Sequence, residues 1–495
     1  MLSFDTSRTG DTIPVIRGRA LVSRFNPQRE AERFIRSAIP KTSQDSGIIL
    51  IVGDVLGYIA AAAAKEYAQA RIVSLSLNHE LMPANPPLRT GDIFWSPASG
   101  SLDSILTKVL DEEALLHESF DLLEWQPSIT AFPGTAAEIL EKIQRRVRII
   151  NGNITTIKAF GYRWIRNSIS NYLYAQEFCR LSDVQGSALV VASGSSLNRS
   201  REFIRSSRAI LIALPSSLRF LRSLGKIPDM IVQTDPGFYA SLHLAEARGV
   251  QVPVAAPLFS DSGIRRHTGP FLPLSCGEPF EEALFSLLGL IPLRIPAMGT
   301  VAASAIMLSL GLSRAPVMVA GLDLCYDDIH PHVRPHTFDP VFEAAVSRVS
   351  PLYSIKYRYS RDTASKPGQS AALKTYSDWF TGLGDDISGR VRRVHPSDIE
   401  LPFPTLSATE ARDSQVPAGA LSFIKTAAPS FKIRKERLQQ LLADIRRSIN
   451  TEPSSPLVKE LQIKLSPPVR ELNAATYTSE KIGDLQDLLS DMEAP

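Results

Sequence analysis

The chain of 495 residues has only three cysteines, Cys179, Cys276 and Cys325, with no two close in sequence. That excludes a disulfide framework and a zinc knuckle, and it fits a reducing compartment. No apolar run approaches the length of a membrane span, and the opening residues, MLSFDTSRTGDTIPV, lack the charged and apolar regions of a secretion signal, so a cytoplasmic location is expected. An excess of one charge is missing too. Lys plus Arg number 54 against 51 Asp plus Glu, which gives no general case for nucleic acid or an acidic membrane surface as partner. The length points to about three domains.

What the sequence does have is a stretch, 188–236, that reads as strand, small-residue turn, helix, strand, helix, strand. Residues 189–192 form an apolar run of the kind buried on both faces of a parallel sheet, and Ser193-Gly194-Ser195-Ser196 then turns the chain into a helix near Leu197. A helix start offers unpaired N–H groups and the positive end of its dipole, while Gly and Ser let a phosphate approach the backbone and add hydroxyl donors. The same residues also suit an ordinary serine-capped turn. Strand-like runs at 188–192, 208–214, 229–233, 252–257 and 316–320 alternate with helical segments near 198–206, 217–224, 238–248, 278–289 and 301–311. The expected result is an α/β domain whose parallel sheet is covered on both faces, with ligands bound beyond the carboxyl ends of the strands. The turns 193–196, 214–217, 234–236 and 321–323 should meet there.

Upstream, GIILIVGDVLGYIAAAAAKEYAQARIVSLSLNHEL predicts a buried strand at 47–52, a turn at 53–57, an alanine-rich helix and a second strand at 71–77. A dinucleotide site needs G-x-G-x-x-G and an acidic residue ending the second strand; here the turn is GDVLG and the strand ends in Ser76, Leu77 and Asn78. Residues 1–155 are therefore expected to be a Rossmann-like domain used as a scaffold or docking module. A helical connector, 156–183, follows, with Phe160, Trp164, Ile165, Ile169, Tyr172 and Leu173 on one side. Asn167 and Asn171, one turn apart, are packing amides or ligand contacts. The central domain should occupy 184–402. Residues 403–430 read as a linker, and 431–495 as a helical C-terminal domain whose first helix aligns Ile433, Leu438, Leu441, Leu442 and Ile445, for packing or for docking a partner.

The segment LDLCYDDIHPHVRPHTFD, 322–339, gathers His330, His332 and His336 beside Asp323, Asp327 and Asp328. Histidine is the natural general base near neutral pH, and nearby carboxylates raise its pKa or hold its tautomer. His336 is the first candidate for that role and His330 the second; a solvated polar loop is the alternative. An H-x-H pair also suggests a metal site, but no helix or strand positions it as one. Asp235, at a strand end before Pro236, either caps a helix entering at Gly237 or holds a ribose, a metal or an acceptor hydroxyl. TDP is not the D-x-D usually expected of a metal-dependent sugar-nucleotide enzyme.

The blocks SGSSL (193–197), RAILIAL (208–214), IPDMIVQTDP (227–236), MGTVAASAIMLSLG (298–311) and PVMVAGLDLCY (316–326) resemble, in order and spacing, the central domain of the motility-associated factor (Maf) family of flagellin glycosyltransferases. That domain is similar to bacterial sialyltransferases, a variant of the GT-A fold, which use sugars activated by cytidine monophosphate (CMP). The resemblance implies a Rossmann-like, methyltransferase-like domain in front. It implies a CMP-nonulosonic acid donor held by Ser193, Gly194, Ser195, Ser196, Thr234, Gly299, Thr300 and Asp323. The acceptor would be a Ser or Thr of flagellin, in support of filament assembly and motility, with no cofactor and no metal required. His336, His330 and Asp235 are the catalytic candidates, and Arg199 or Arg201 could steady the leaving phosphate. The sialyltransferases carry their catalytic histidine near what would be 360–370 here, and SRDTASKPGQS has none. Related archaeal 6-hydroxymethylpterin pyrophosphokinases share the central domain and would need a nucleoside triphosphate with magnesium. A non-catalytic flagellin-binding module is the third reading.

Overall fold

The computed structural model describes every residue except 1, 39–46, 84–88, 90, 111–118, 182–183, 262, 265–266, 268, 328, 361–367, 384, 420, 466–473 and 493–495. Asp328 and most of 360–370 thus lie outside the described residues. The chain divides into two units, 1–159 and 160–495. No helix among the described residues is long and apolar enough to cross a membrane.

In the first unit β1 (Leu2–Thr6), β2 (Thr12–Ile16) and β3 (Arg19–Ala20) form an antiparallel meander. The predicted βαβ element follows. β4 (Gly47–Val52) is buried along its whole length, which is why GIILIV shows no polar alternation. It pairs in parallel with β5 (Arg71–Leu75) and β7 (Ser119–Glu124), and β6 (Ile93–Trp95) pairs with β5, in the order β6-β5-β4-β7.

The turn after β4 departs from a dinucleotide site in its chemistry as well as its letters. Asp54, only 2% exposed, places its own carboxylate at the start of the helix Tyr58–Glu66. Oδ1 accepts from the backbone N–H of Val55 (2.8 Å) and Ile59 (3.0 Å), and Oδ2 accepts from Ser74 Oγ (2.7 Å). Donors that would cradle a pyrophosphate hold a side chain instead. Burial pushes the Asp54 pKa up against these hydrogen bonds. A raised carboxyl pKa stabilises the fold most below the ordinary Asp range, and that contribution is lost as pH rises through the raised value. Asp54→Asn, which keeps an oxygen acceptor for both N–H groups, should therefore gain on the wild type as pH rises in denaturant unfolding. Asp54→Ala should cost about 1–3 kcal/mol.

The predicted connector is the end of a 42-residue helix, Pro133–Tyr174, followed by a strand that sequence reading missed, β8 (Glu177–Leu181). The central sheet then adds β9 (Ala188–Val191), β10 (Ile210–Ala213), β11 (Met230–Val232), β12 (Val254–Ala256), β13 (Phe271–Ser275), β14 (Leu293–Arg294), β15 (Val317–Ala320), β16 (Val391–Val394), β17 (Thr405–Leu406) and β18 (Phe423–Ala427). Its order is β17-β16-β15-β9-β10-β11-β12-β13-β8-β18, with β14 on β13. All neighbours are parallel except β18, which runs antiparallel to β8. All five predicted strands are present. The segment read as a linker is not one: it supplies β17 and β18 to the two edges of the sheet.

Strand order reverses beside β9. From β9 the chain steps outward through β10, β11, β12 and β13, then returns on the other side with β15, β16 and β17. Open parallel sheets bind ligands at such a switch point, outside the carboxyl ends of the two central strands. Here those ends carry Ser193–Ser196 of the serine turn and the Gly321–Asp323 corner.

Alternate residues of each strand face two separate cores. Ala188, Val190, Ile212, Val232 and Val319 pack under the small-residue helix Val301–Leu312. On the other face, Leu189, Val191, Leu211 and Ile231 share a core with the C-terminal helices Phe431–Thr451, Pro456–Lys464 and Ala474–Asp491 through Leu438, Leu442, Val458, Leu461 and Leu485. Leu438, Leu442 and Ile445 of the apolar stripe on the first C-terminal helix thus pack inward and Leu441 is partly buried, while Ile433 is exposed. Buried Arg434 donates to the Tyr172 (2.8 Å) and Ala175 (2.6 Å) carbonyls at the end of the long helix. Buried Lys464 joins Glu278 and Glu460, the latter at 2.7 Å.

Candidate functional site

The serine turn and the G-L-D corner close on each other. Ala192 N donates to Ala320 O (2.9 Å) and Gly194 N to Gly321 O (2.8 Å). Asp323, 3% exposed, lies directly over Gly194. Its Oδ2 accepts from Ser196 N (2.7 Å) and Ser195 Oγ (3.3 Å), and Oδ1 accepts from Ser196 Oγ. A side chain at Gly194 would start 2.3 Å from Asp323 Cγ, so this corner requires glycine. Buried Arg393 donates to the Leu322 (2.9 Å) and Ile399 (2.7 Å) carbonyls behind Asp323, whose charge opposes the fall in the guanidinium pKa caused by burial. The four residues predicted to cradle a phosphate are therefore at the expected strand end, but their Gly194 N–H, Ser196 N–H and two hydroxyls already have partners.

The 330–339 loop is laid over the same turn. Ser193 O accepts from Val333 N (2.7 Å), and Ser193 Oγ lies 3.2 Å from His332 Nδ1. Ser216, from the turn after β10, donates to Ser193 Oγ (2.9 Å). Of the three histidines in the loop, the one that reaches the turn is His332, which is partly exposed. His336, the first sequence candidate, points inward: it is 4% exposed and its Nε2 has no hydrogen-bond partner among the described residues. His332 stacks on His336 at 4.5 Å with planes 15° apart, and His243 meets His336 edge-on at 5.0 Å. His330, the second candidate, lies 3.5 Å through Nδ1 from the buried Lys356 ammonium, which also pairs with Asp339 (3.3 Å). Asp339 in turn accepts from His336 N (2.8 Å).

Burial is the first cause that lowers all three stacked imidazoles. His336 falls to about 3, with His332 and His243 contributing, and His243 to about 4. His332 is lowered too, against a backbone hydrogen bond to Ser193 and the charge of Asp339. These rings stack as neutral aromatics. A histidine whose pKa is depressed by folding stabilises the protein above its ordinary value near 6.5, and that stability is lost as pH falls toward the folded value. Urea unfolding midpoints should fall between pH 7 and pH 5, and a His243→Phe/His336→Phe variant should show a flatter fall.

Asp235 accepts from Gly237 N (2.7 Å) just ahead of the helix Phe238–Leu244, but it does not cap that helix, whose start is Gly237 with no side-chain cap among the described residues. Its pKa is raised by partial desolvation and by Asp261, against the Gly237 bond. Tyr376 faces both Asp235 and Gly299: its phenol pKa is raised by burial and by the Asp235 charge, and its ring is 3.9 Å from where a Gly299 side chain would begin. Thr300 is a helix cap, accepting from Ala303 N (3.0 Å). Thr234 is partly buried at the end of β11. The connector amides are structural. Asn167 Nδ2 donates to the Pro236 (3.1 Å) and Phe259 (3.0 Å) carbonyls, and Asn171 Nδ2 to Leu258 (2.8 Å) and Ser260 (2.9 Å). Arg199 donates to Pro396 O (2.8 Å), and Arg201 to Asn198 (3.0 Å) and Arg334 O (3.2 Å), all at the surface. Among the described residues no group of three or more His, Cys, Asp or Glu is arranged to hold a metal.

Sequence reasoning found Ser193, Gly194 and Asp323 from turn composition. It also placed the 214–217 turn, which holds Ser216, at that edge, but it missed His243 and Tyr376, which lie in ordinary helical sequence and join the site only through tertiary contact.

Residues 162–328, from the end of the long helix through β15, match the family model of 6-hydroxymethylpterin diphosphokinase MptE-like proteins. Two uncharacterized proteins of Treponema pallidum (strain Nichols) are similar in sequence. One is 25% identical over 316 residues, covering 62% of this chain and 67% of the relative. The other is 29% identical over 129 residues, covering 25% of this chain and 61% of the relative. Among solved structures, the Maf glycosyltransferase from Magnetospirillum magneticum AMB-1 aligns with a TM-score of 0.53 and 13% identity, over 99% of this chain and 86% of that one. The chain is thus similar in fold to a Maf glycosyltransferase along nearly its whole length, and in sequence to MptE-like proteins over the part of the central sheet that holds the switch point.

Proposed function

We propose that the protein is a glycosyltransferase that moves a nonulosonic, sialic-acid-like sugar from a CMP-activated donor to a Ser or Thr hydroxyl of flagellin, in the cytoplasm and without a metal. The observation that carries this reading is the imidazole of His332 at the switch point, 3.2 Å from the Ser193 hydroxyl, in a fold shared with a Maf glycosyltransferase. The acceptor oxygen attacks the anomeric carbon, its proton passes to a loop histidine, and the bond to phosphate breaks with its electron pair leaving on CMP. Of the loop histidines His332 is best placed, because His336 is enclosed and His330 faces an ammonium. Ser193, Gly194, Ser196 and Asp323 are bonded to their neighbours rather than offering free donors. In this reading Ser195, Thr234 and Gly299 contact the donor, Asp235 stays a catalytic candidate, and Thr300 acts by starting the helix Val301–Leu312.

The match of 162–328 to MptE-like proteins favours a second reading, diphosphate transfer from a nucleoside triphosphate with magnesium to a hydroxymethylpterin. Calorimetric titration of the full chain with CMP, beside ATP-magnesium, separates the two. CMP binding that disappears in Ser195→Trp supports the glycosyltransferase, and transfer to flagellin is then assayed by intact mass. ATP-magnesium binding without CMP binding would overturn it, and binding of neither would favour a non-catalytic flagellin-binding module.

A further inference from the structure

We infer that Phe238 and Tyr239 form the docking surface for the polypeptide that carries the acceptor hydroxyl, and that they take an apolar side chain of that polypeptide a few residues from the hydroxyl. The surface stands on geometry, while the identity of its partner rests on the function proposed above. Phe238 and Tyr239 are the two most exposed aromatic rings among the described residues, at 64% and 67%. Their exposure has a local cause. The helix Phe238–Leu244 turns Ala240 and Leu244 into the core and sets His243 against Phe338 at 4.6 Å, so the rings on its first turn are left outside. Adjacent large apolar side chains that the fold does not use mark an interaction site more often than a lone one does.

The pair is mounted rigidly. Asp235 O accepts from Asp261 N (3.0 Å) and Gln233 Nε2 (2.9 Å), and Pro236 O accepts from Asn167 Nδ2 (3.1 Å), so the backbone that leads into the rings is tied to β11, to the 257–261 loop and to the long helix. Fixed aromatic anchors lose little freedom when a partner covers them.

The partner is indicated by what the rings connect to. Tyr239 meets Phe338 edge-on at 5.7 Å, Phe338 lies 5.4 Å from His336, and His336 stacks under His332 at 4.5 Å. An unbroken run of rings thus leads from the exposed pair to the imidazole proposed as the base. Tyr239 is therefore no more than about 16 Å from His332, the reach of about five residues of extended chain. A polypeptide that presents a hydroxyl to His332 has its neighbouring residues within reach of the pair. The shape also separates this partner from the donor. A nucleobase is held in an enclosed cleft, whereas Phe238 and Tyr239 are turned 62° to one another and stand mostly in solvent, which suits the ridged side of a protein chain.

The test uses the full-length protein, purified flagellin and CMP-nonulosonic acid. In Phe238→Ser/Tyr239→Ser, KM for flagellin should rise roughly 10–30-fold, as expected when anchoring rings are lost, while KM for the donor and its slow hydrolysis by water stay as they are. Direct binding of flagellin, followed by biolayer interferometry without donor, should weaken by a similar factor. Tyr239→Phe, which keeps the ring, should match the wild type, and so should Ile291→Ser, which removes an exposed apolar side chain elsewhere. Unchanged flagellin binding and KM in the double variant would overturn the inference, as would a wild type that binds no flagellin. A fall in donor hydrolysis with KM for flagellin unmoved would also overturn it, because the rings would then be supporting the donor site. Flagellin binding that weakens in the double variant, in protein that transfers no sugar, would support the docking surface and overturn the glycosyltransferase reading instead.

Discussion

His332→Gln should lower kcat for sugar transfer by about 10²–10⁴-fold, the usual contribution of a positioned general base, while donor affinity changes little. Glutamine can still bond to Ser193, but it takes up no proton near neutral pH, so the loss reports proton transfer rather than shape. Parallel substitutions set the contrast. His336→Gln removes an enclosed ring whose Nε2 has no polar partner among the described residues, and should appear in the unfolding midpoint rather than in kcat. His330→Gln should leave kcat within a few-fold, because that ring is held against Lys356. The sign of the pH effect is also fixed. A base works unprotonated, and burial lowers the His332 pKa, so kcat/KM should hold below about pH 6.5, the ordinary histidine value, and fall only when the ring takes a proton in advance. CMP release, followed by a coupled assay on both sides of that value, measures each of these.

The second large effect should come from Gly194→Ala. The added carbon would sit 2.3 Å from Asp323 Cγ, 2.4 Å from Oδ2 and 2.7 Å from Cβ, distances that no packed structure tolerates. Asp323 cannot swing aside freely, because its carboxylate satisfies Ser196 N and both serine hydroxyls. The cost combines overpacking with a buried N–H left unpaired, about 3 kcal/mol or more. Asp323→Ala alone should cost about 1–3 kcal/mol, from the unpaired Ser196 N–H. The double variant distinguishes the two causes. With the carboxylate gone, the methyl group added at position 194 has room, so Gly194→Ala/Asp323→Ala should be more stable than the sum of the single losses by about 1 kcal/mol or more. Strict additivity in a denaturant cycle would mean that Asp323 does not cover Gly194.

The sheet was legible where its strands are buried on both faces. ALVV, ILIA, MIV, VAA and VMVA are short apolar runs bounded by turn residues, and each is a strand within two residues of its expected limits. The missed strands carry contrary signals with local causes. β13 contains Pro273. β16 is VRRV, whose Arg393 is buried because the Leu322 and Ile399 carbonyls accept its donors, something no hydropathy pattern records. β8 and β18 mix charge with apolar residues; β18 is an edge strand and β8 lies next to it. The site divides in the same way. Turn composition located the serine turn and Asp323, but not that the carboxylate would occupy the donors. That needs the register of β9 on β15, which pairs Val191 with Ala320. Which of His330, His332 and His336 reaches the serine turn was not legible for a different reason. They lie in an irregular loop, where no period of 2 or 3.6 tells an inward ring from an outward one.

The antiparallel pairing of β18 with β8 has a consequence for biosynthesis. Ala427 lies opposite Glu177, and the core beneath that edge is completed only by residues as far along as Leu489. At roughly 5–20 residues per second, a ribosome needs on the order of tens of seconds to pass from the first of these to the last. Through that interval one face of the emerging sheet, including Leu189, Val191, Leu211 and Ile231, has no C-terminal helices to cover it. The second unit therefore closes late in synthesis, so chaperone demand should be concentrated on nascent chains that have passed β8 but have not yet delivered the last helix.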